Sequence, residues 1–170
     1  AVDAAADASG AADEDAETPD LDLWHHVRRR PGEPISFAVA ALLRHDERTR
    51  RRYAGLMRIH AHAHSPMAMA AFSGGTSRIV GAHLLRLVAA EDGLPAMLVI
   101  SPNDADVADA PHVIEAMGTE SDADAGVTVV RVALPAAVRG HVTLPLAPSD
   151  PDLARLGELV ARPTSSIWLF

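Results

Sequence analysis

The apolar positions fall into short blocks whose spacing alternates between two kinds. From Phe37 to Arg58, Leu42, Leu43, Tyr53, Leu56 and Met57 recur at helical spacing, and Arg44, Arg48, Arg51 and Arg52 take the other faces. With Ser36 as an N-cap, this predicts one long N-terminal helix. Met67 to Phe72 reads as a buried strand of mostly small residues, and Gly74-Gly75 as a turn after it. Ile79, Val80, His83, Leu84, Leu87 and Val88 then predict one face of a helix that Ser77 caps and Gly93 stops. Ala96 to Ile100 is a continuous apolar run, as buried parallel strands are. Asp109 and Pro111 open a short helix to Met117, ended by Gly118. Val127 to Ala133 is a β-branched strand, a helix starts near Ser149-Asp150-Pro151 with Leu153, Leu156, Leu159 and Val160, and Ser166 to Phe170 is a last strand. Strands alternating with helices predict an α/β fold with a central mainly parallel sheet covered on both faces.

At 170 residues and 48% apolar side chains, the chain can bury one core. No apolar run approaches the roughly 20 residues that cross a bilayer, and no signal peptide heads the sequence. The expectation is a cytoplasmic protein with no membrane association. Absence of an initial Met leaves room for an upstream piece. With no Cys, thiol catalysis, thiolate zinc sites and disulfides are excluded. Every basic residue except His is Arg; lacking Lys, the chain has no Walker-type phosphate loop, pyridoxal Schiff base or amine nucleophile.

The net charge of −8 belongs to one end. Residues 1–22 hold eight acids and no base, and the remaining 15 acids balance 15 Arg. Residues 1–22 read as a disordered acidic tail, 23–64 as a linker and the N-terminal helix, and 65–170 as the α/β domain. Nine of the 15 Arg lie between Arg28 and Arg58, but Asp46 and Glu47 interrupt them and aromatics are scarce. They read as a solvated face, and no nucleic-acid partner is expected.

In a parallel sheet, ligands bind beyond the carboxyl ends of the strands. Phe72-Ser73-Gly74-Gly75 and Ser101-Pro102-Asn103-Asp104 fall at that edge. Paired glycines let backbone N–H groups converge, a following helix adds its positive end, and Ser73, Thr76 and Ser77 add hydroxyls, which suits a phosphate.

Phe72-Ser73-Gly74-Gly75-Thr76-Ser77 resembles the PP-loop of the nucleotide α-hydrolases, Ser-Gly-Gly-x-Asp-Ser. The similarity is to the synthetase domain of asparagine synthetase and its relatives, including β-lactam synthetases and lasso-peptide cyclases. It extends, without strongly specific motifs, through Asp106 to Ala110, Val113 to Glu120, Val127 to Val130 and Leu153 to Ser166. The resemblance implies a three-layer HUP-like sandwich, ATP and Mg²⁺ as cofactors, and amide formation through an acyl-adenylate. Ser73, Gly74, Gly75, Thr76, Ser77 and Arg78 would hold the phosphates, with Ser101 and Asn103 near the adenosine. Two departures cut against turnover: Ser77 stands at the loop's Asp position and Arg78 at its final Ser. The family's later acidic metal-binding segment is also missing. The alternative is a non-catalytic nucleotide- or phosphate-binding scaffold, with a protein partner or further domain completing the site. Sugar isomerase, Fic and zinc-deacetylase loops share fewer of these residues, each lacking its essential group.

His60, His62 and His64 would share one face of a strand, spaced for a metal; without an adjacent acid they read as a polar linker. His83 reads as a hydrogen-bonded core residue, and Asp104, Asp106 and Asp109 as turn and cap residues.

Overall fold

The computed structural model describes residues 20–65, 77–91, 93–103, 109–119 and 126–170. In chain order these form helices α1 (Asp20–Arg28), α2 (Phe37–His45) and α3 (Glu47–His60), then strands β1 (Ala63–Ser65), β2 (Ser77–Val80), β3 (His83–Val88), β4 (Ala96–Pro102), β5 (Val113–Thr119), β6 (Val127–Ala133) and β7 (Val142–Leu146). Helix α4 (Pro151–Ala161) and strand β8 (Ser166–Leu169) complete the described elements. They build two four-stranded sheets, β1-β8-β5-β6 and β2-β3-β4-β7, in which every pairing is antiparallel.

This overturns the expected fold. There is no central mainly parallel sheet and no HUP-like sandwich among the described residues, because two of the expected helices are strands. The stretch from Ser77 is the hairpin β2–β3, turning at Gly81, whose φ is +58°. An added Cβ at Gly81 would lie 2.7 Å from that of Ala63, so both the turn and its packing need glycine. The stretch read as a helix from Asp109 becomes β5. The long N-terminal helix is two: Asp46 leaves helical geometry at φ −106°, ψ 112°, and its carboxylate accepts the amides of Arg48 and Thr49, ending α2 and capping α3. The strand expected at Met67 to Phe72 lies outside the described residues.

Burial explains the layering. The inward residues of the second sheet, among them Val80, Leu85, Leu98, Ile100, Val142 and Leu144, meet Ile114, Ala116, Val130, Ile167 and Leu169 of the first. Helix α4 adds Leu156, Leu159 and Val160, one stripe at i, i+3, i+4. The other face of the first sheet is covered by α1–α3, where Leu23, Val27, Val39, Leu43, Tyr53 and Met57 pack on Met117 and Trp168. The first sheet is therefore buried on both faces. That is why β8 reads as an unbroken buried run and not as an alternating one.

Candidate functional site

Of the residues expected at the phosphate loop, Ser73, Gly74, Gly75 and Thr76 lie outside the described residues. Ser77 opens β2 and is followed by strand, so the helix N-terminus that was to face the anion is not formed there. Arg78 points inward and is 3% exposed. Its Nε donates to Ser65 Oγ at 3.1 Å, Nη1 to the Arg162 carbonyl at 3.0 Å and Nη2 to the Ser165 carbonyl. Every corner of the guanidinium is thus engaged in joining β2 to β1 and to the α4–β8 connection. Ser101 Oγ donates to the Leu84 carbonyl at 3.4 Å, and the amide of Asn103 to the Ala82 carbonyl at 2.8 Å. Both belong to the Gly81 end of the second sheet. Ser77 is at the other end of β2, opposite Arg86, so the fold does not bring Ser77 together with Ser101 and Asn103.

A buried polar centre lies between α1, α3 and the first sheet. Glu115, 0% exposed in β5, accepts the Tyr53 hydroxyl and Arg131 Nη1 at 3.1 Å, with Arg29 Nη1 at 3.6 Å. Burial pushes the Glu115 carboxyl up, against the pull of Arg29, Tyr53 and Arg131. Arg131 also donates to the Val27 carbonyl at 2.8 Å and stacks over Phe170. His26 packs edgewise on Tyr53 and is lowered to about 3, first by burial, then by Arg29 and Arg131. This centre ties the helical layer to the sheet.

A groove of about 360 Å³ lies between α3 and the far end of β5. One side of α3 supplies Glu47, Arg50, Arg51, Ala54 and Arg58, a stripe set by helical spacing. The floor is Met117, Gly118 and Val127, and the opposite wall holds His64, Thr119, Thr164 and Ser166. Glu47 accepts Arg50 Nη2 at 2.7 Å and Arg51 Nε at 3.0 Å, which holds its carboxyl below the usual range. Arg50 also donates to the Leu43 and Arg44 carbonyls at the end of α2. Arg58 makes no hydrogen bond or ion pair among the described residues. His64 stacks on Trp168 at 5.5 Å, and burial, then Arg58 and Arg78, lower its pKa. The groove thus sets three guanidiniums and a neutral imidazole against one carboxylate.

The three alternating histidines do not share a strand: His60 ends α3, His62 is in the following bend and His64 is in β1. Among the described residues no group of three His, Cys, Asp or Glu is placed to hold a metal. His83 is in the core as expected, yet neither ring nitrogen has a hydrogen-bond partner among the described residues. Sequence reasoning passed over Arg58, Thr164 and Ser166. The free basic residue at the end of the α3 stripe was the available signal, but nothing local indicates that β5 ends beside it. No family model matches the chain, and no curated protein or solved structure matches it. Among the described residues, no helix is long and apolar enough to cross a membrane.

Proposed function

We propose that this chain is a binding module for a phosphate-bearing small molecule, nucleotides such as ATP included, held in the groove between α3 and β5. The observation that carries the reading is Arg58, an unengaged guanidinium beside a neutral His64 in a cavity with hydroxyls from Thr164 and Ser166. A guanidinium matches phosphate oxygens bidentately. The donor set favours the phosphate over Mg²⁺, since Glu47 is already held by two guanidiniums. Binding is therefore expected to survive chelation.

Calorimetric titration with ATP, AMP and pyrophosphate, with and without EDTA, tests this. Arg58→Ala should weaken binding about tenfold or more, the scale of a lost charge-assisted hydrogen bond. Affinity should rise as pH falls below neutrality, because an anion favours the protonated His64 that burial and Arg58 disfavour. Equal affinities for wild type and Arg58→Ala would discard the site. Pyrophosphate release from ATP with candidate acids and amines would add the amide-forming activity that the loop resemblance implies; ATP binding without release supports a non-catalytic module.

A further inference from the structure

The first sheet ends at β6, and the hydrogen-bond register shows which backbone groups that edge presents. The Leu134 amide donates to the His112 carbonyl at 2.8 Å, and residues 113 and 133 are partners. In an antiparallel ladder the bonded pairs then recur at 114–132, 116–130 and 118–128. On its other side, β5 exchanges bonds between Val113 and Phe170, the complementary phase. The N–H and C=O groups of Val127, Val129, Arg131 and Ala133 therefore face away from β5, and no backbone group among the described residues meets them.

That edge is the floor of a groove. Helix α2 and the 29–37 segment form one wall and α4 the other. One end is a cavity of about 370 Å³ with Ile35, Phe37, Ala40, Val127, Val129 and Arg155; Phe37 is 89% exposed. The other is a cavity of about 340 Å³ with Arg29, Glu33, Ile35, Val129, Arg131 and Asp152. Ile35 and Val129 belong to both, so the groove is continuous along the strand. With the phosphate groove this surface shares only Val127.

At the second end, two buried guanidiniums share the single carboxylate of Glu115, and Arg131 Nε has no partner among the described residues although its side chain is only 7% exposed. A buried donor left unmet is costly, so the position favours an added acceptor. Glu33 and Asp152 are exposed at the rim, where solvent screens them. One carboxylate reaching Arg131 is favoured there, and an acidic run is not.

We propose that the β6 edge docks an extended segment of a partner protein as a fifth strand of the first sheet. Side chains of a strand alternate, so the partner residues opposite Val129 and Arg131 face the helical layer together, about 7 Å apart. The matching segment carries apolar side chains at alternate positions and one Asp or Glu in the same phase. Residues 1–19 of this chain do not fit: they are rich in acids and carry no apolar side chain larger than Val2.

The test is selection of a displayed random nonapeptide library on the full chain and on Val129→Pro. Proline removes an outward N–H and leaves the β5 ladder alone. Circular dichroism verifies that the variant folds, and Phe37→Asp, at an exposed position, gives a second disruption. Enrichment of the alternating apolar pattern with one in-phase acid on wild type, its loss on both variants, and about tenfold weaker binding when that acid becomes Gln are the expected results. No enrichment on wild type, or equal enrichment on Val129→Pro, overturns the proposal. So does self-association abolished by Val129→Pro, which assigns the edge to a second copy, or peptide affinity rising tenfold on deletion of residues 1–19, which assigns it to the tail.

Discussion

Replacing Arg78 with Lys separates two roles for the same side chain: a phosphate ligand, as the loop resemblance implies, or a clamp between the sheets, as its hydrogen bonds indicate. Arg78 serves three acceptors on two segments, Ser65 Oγ in β1 and the Arg162 and Ser165 carbonyls of the α4–β8 connection. Lysine keeps the charge and the burial, but one compact ammonium on an unforked stem cannot span all three. At least one buried acceptor loses its donor, at about 1–3 kcal/mol. The ammonium is also more strongly hydrated than a guanidinium, which adds to the cost of burying it. Together these set the loss at about 2–4 kcal/mol, a large fraction of a stability of about 5–15 kcal/mol. With a urea dependence of about 2 kcal/mol per M, the unfolding midpoint of Arg78→Lys should fall by about 1–2 M. Trp168, 0% exposed between sheet and helices, makes intrinsic fluorescence a suitable reporter. Arg86→Lys on the exposed side of β3 is the control and should stay within about 0.5 kcal/mol of wild type. If Arg78→Lys matched that control while ATP or pyrophosphate affinity fell, the clamp would be refuted and Arg78 would be a ligand.

Three further outcomes follow from the fold and the groove. Asp46→Ala should cost about 1 kcal/mol in urea unfolding, because the carboxylate caps α3 through the Arg48 and Thr49 amides. His26, lowered to about 3 in the fold, is protonated first in the unfolded chain as pH drops below its ordinary 6.5. Stability should therefore hold above that value and fall on acidification, by about 2 kcal/mol from pH 7 to 5. The raised Glu115 carboxyl offsets part of this, since the fold takes up that proton more readily than the unfolded chain. Thermal melts across pH should show a flatter slope for His26→Gln, and an unchanged slope would reject His26 as the source. For the groove, the salt dependence of ATP binding should weaken in Arg58→Ala, measured by calorimetry at several ionic strengths.

Some elements were legible because local chemistry and tertiary burial agree. Val127 to Ala133 is β-branched at every position but Arg131 and Ala133, and is β6 at both ends. Asp150-Pro151 places a cap and a first-turn proline at the start of α4, and its apolar stripe faces the core. Ala96 to Ile100 and Ser166 to Phe170 are strands, though antiparallel ones, since period alone does not determine direction. Strand β7 was missed: Val142, Leu144 and Leu146 alternate as a half-buried strand does, but the Pro145 between them argues against one.

The errors in the middle of the chain share one physical cause. In β2 and β3, inward positions that alternation reserves for apolar residues are taken by Arg78 and His83, and in β5 by Glu115. Each polar residue breaks the period of two, and what remains at Ile79, Val80, His83, Leu84, Leu87 and Val88 then satisfies the helical period. A glycine at Gly81 was the local contrary sign, since a helix interior disfavours it by about 1 kcal/mol. With those two stretches read as helices, a parallel sheet followed from the alternation, and the phosphate site followed from the parallel sheet. The residues that concealed the strands are also what fasten the layers: Arg78 joins the two sheets, and Glu115 with Arg29 and Arg131 joins the first sheet to the helices. A buried polar side chain needs partners from other segments, and partners brought from across the chain are what a local reading of spacing cannot contain.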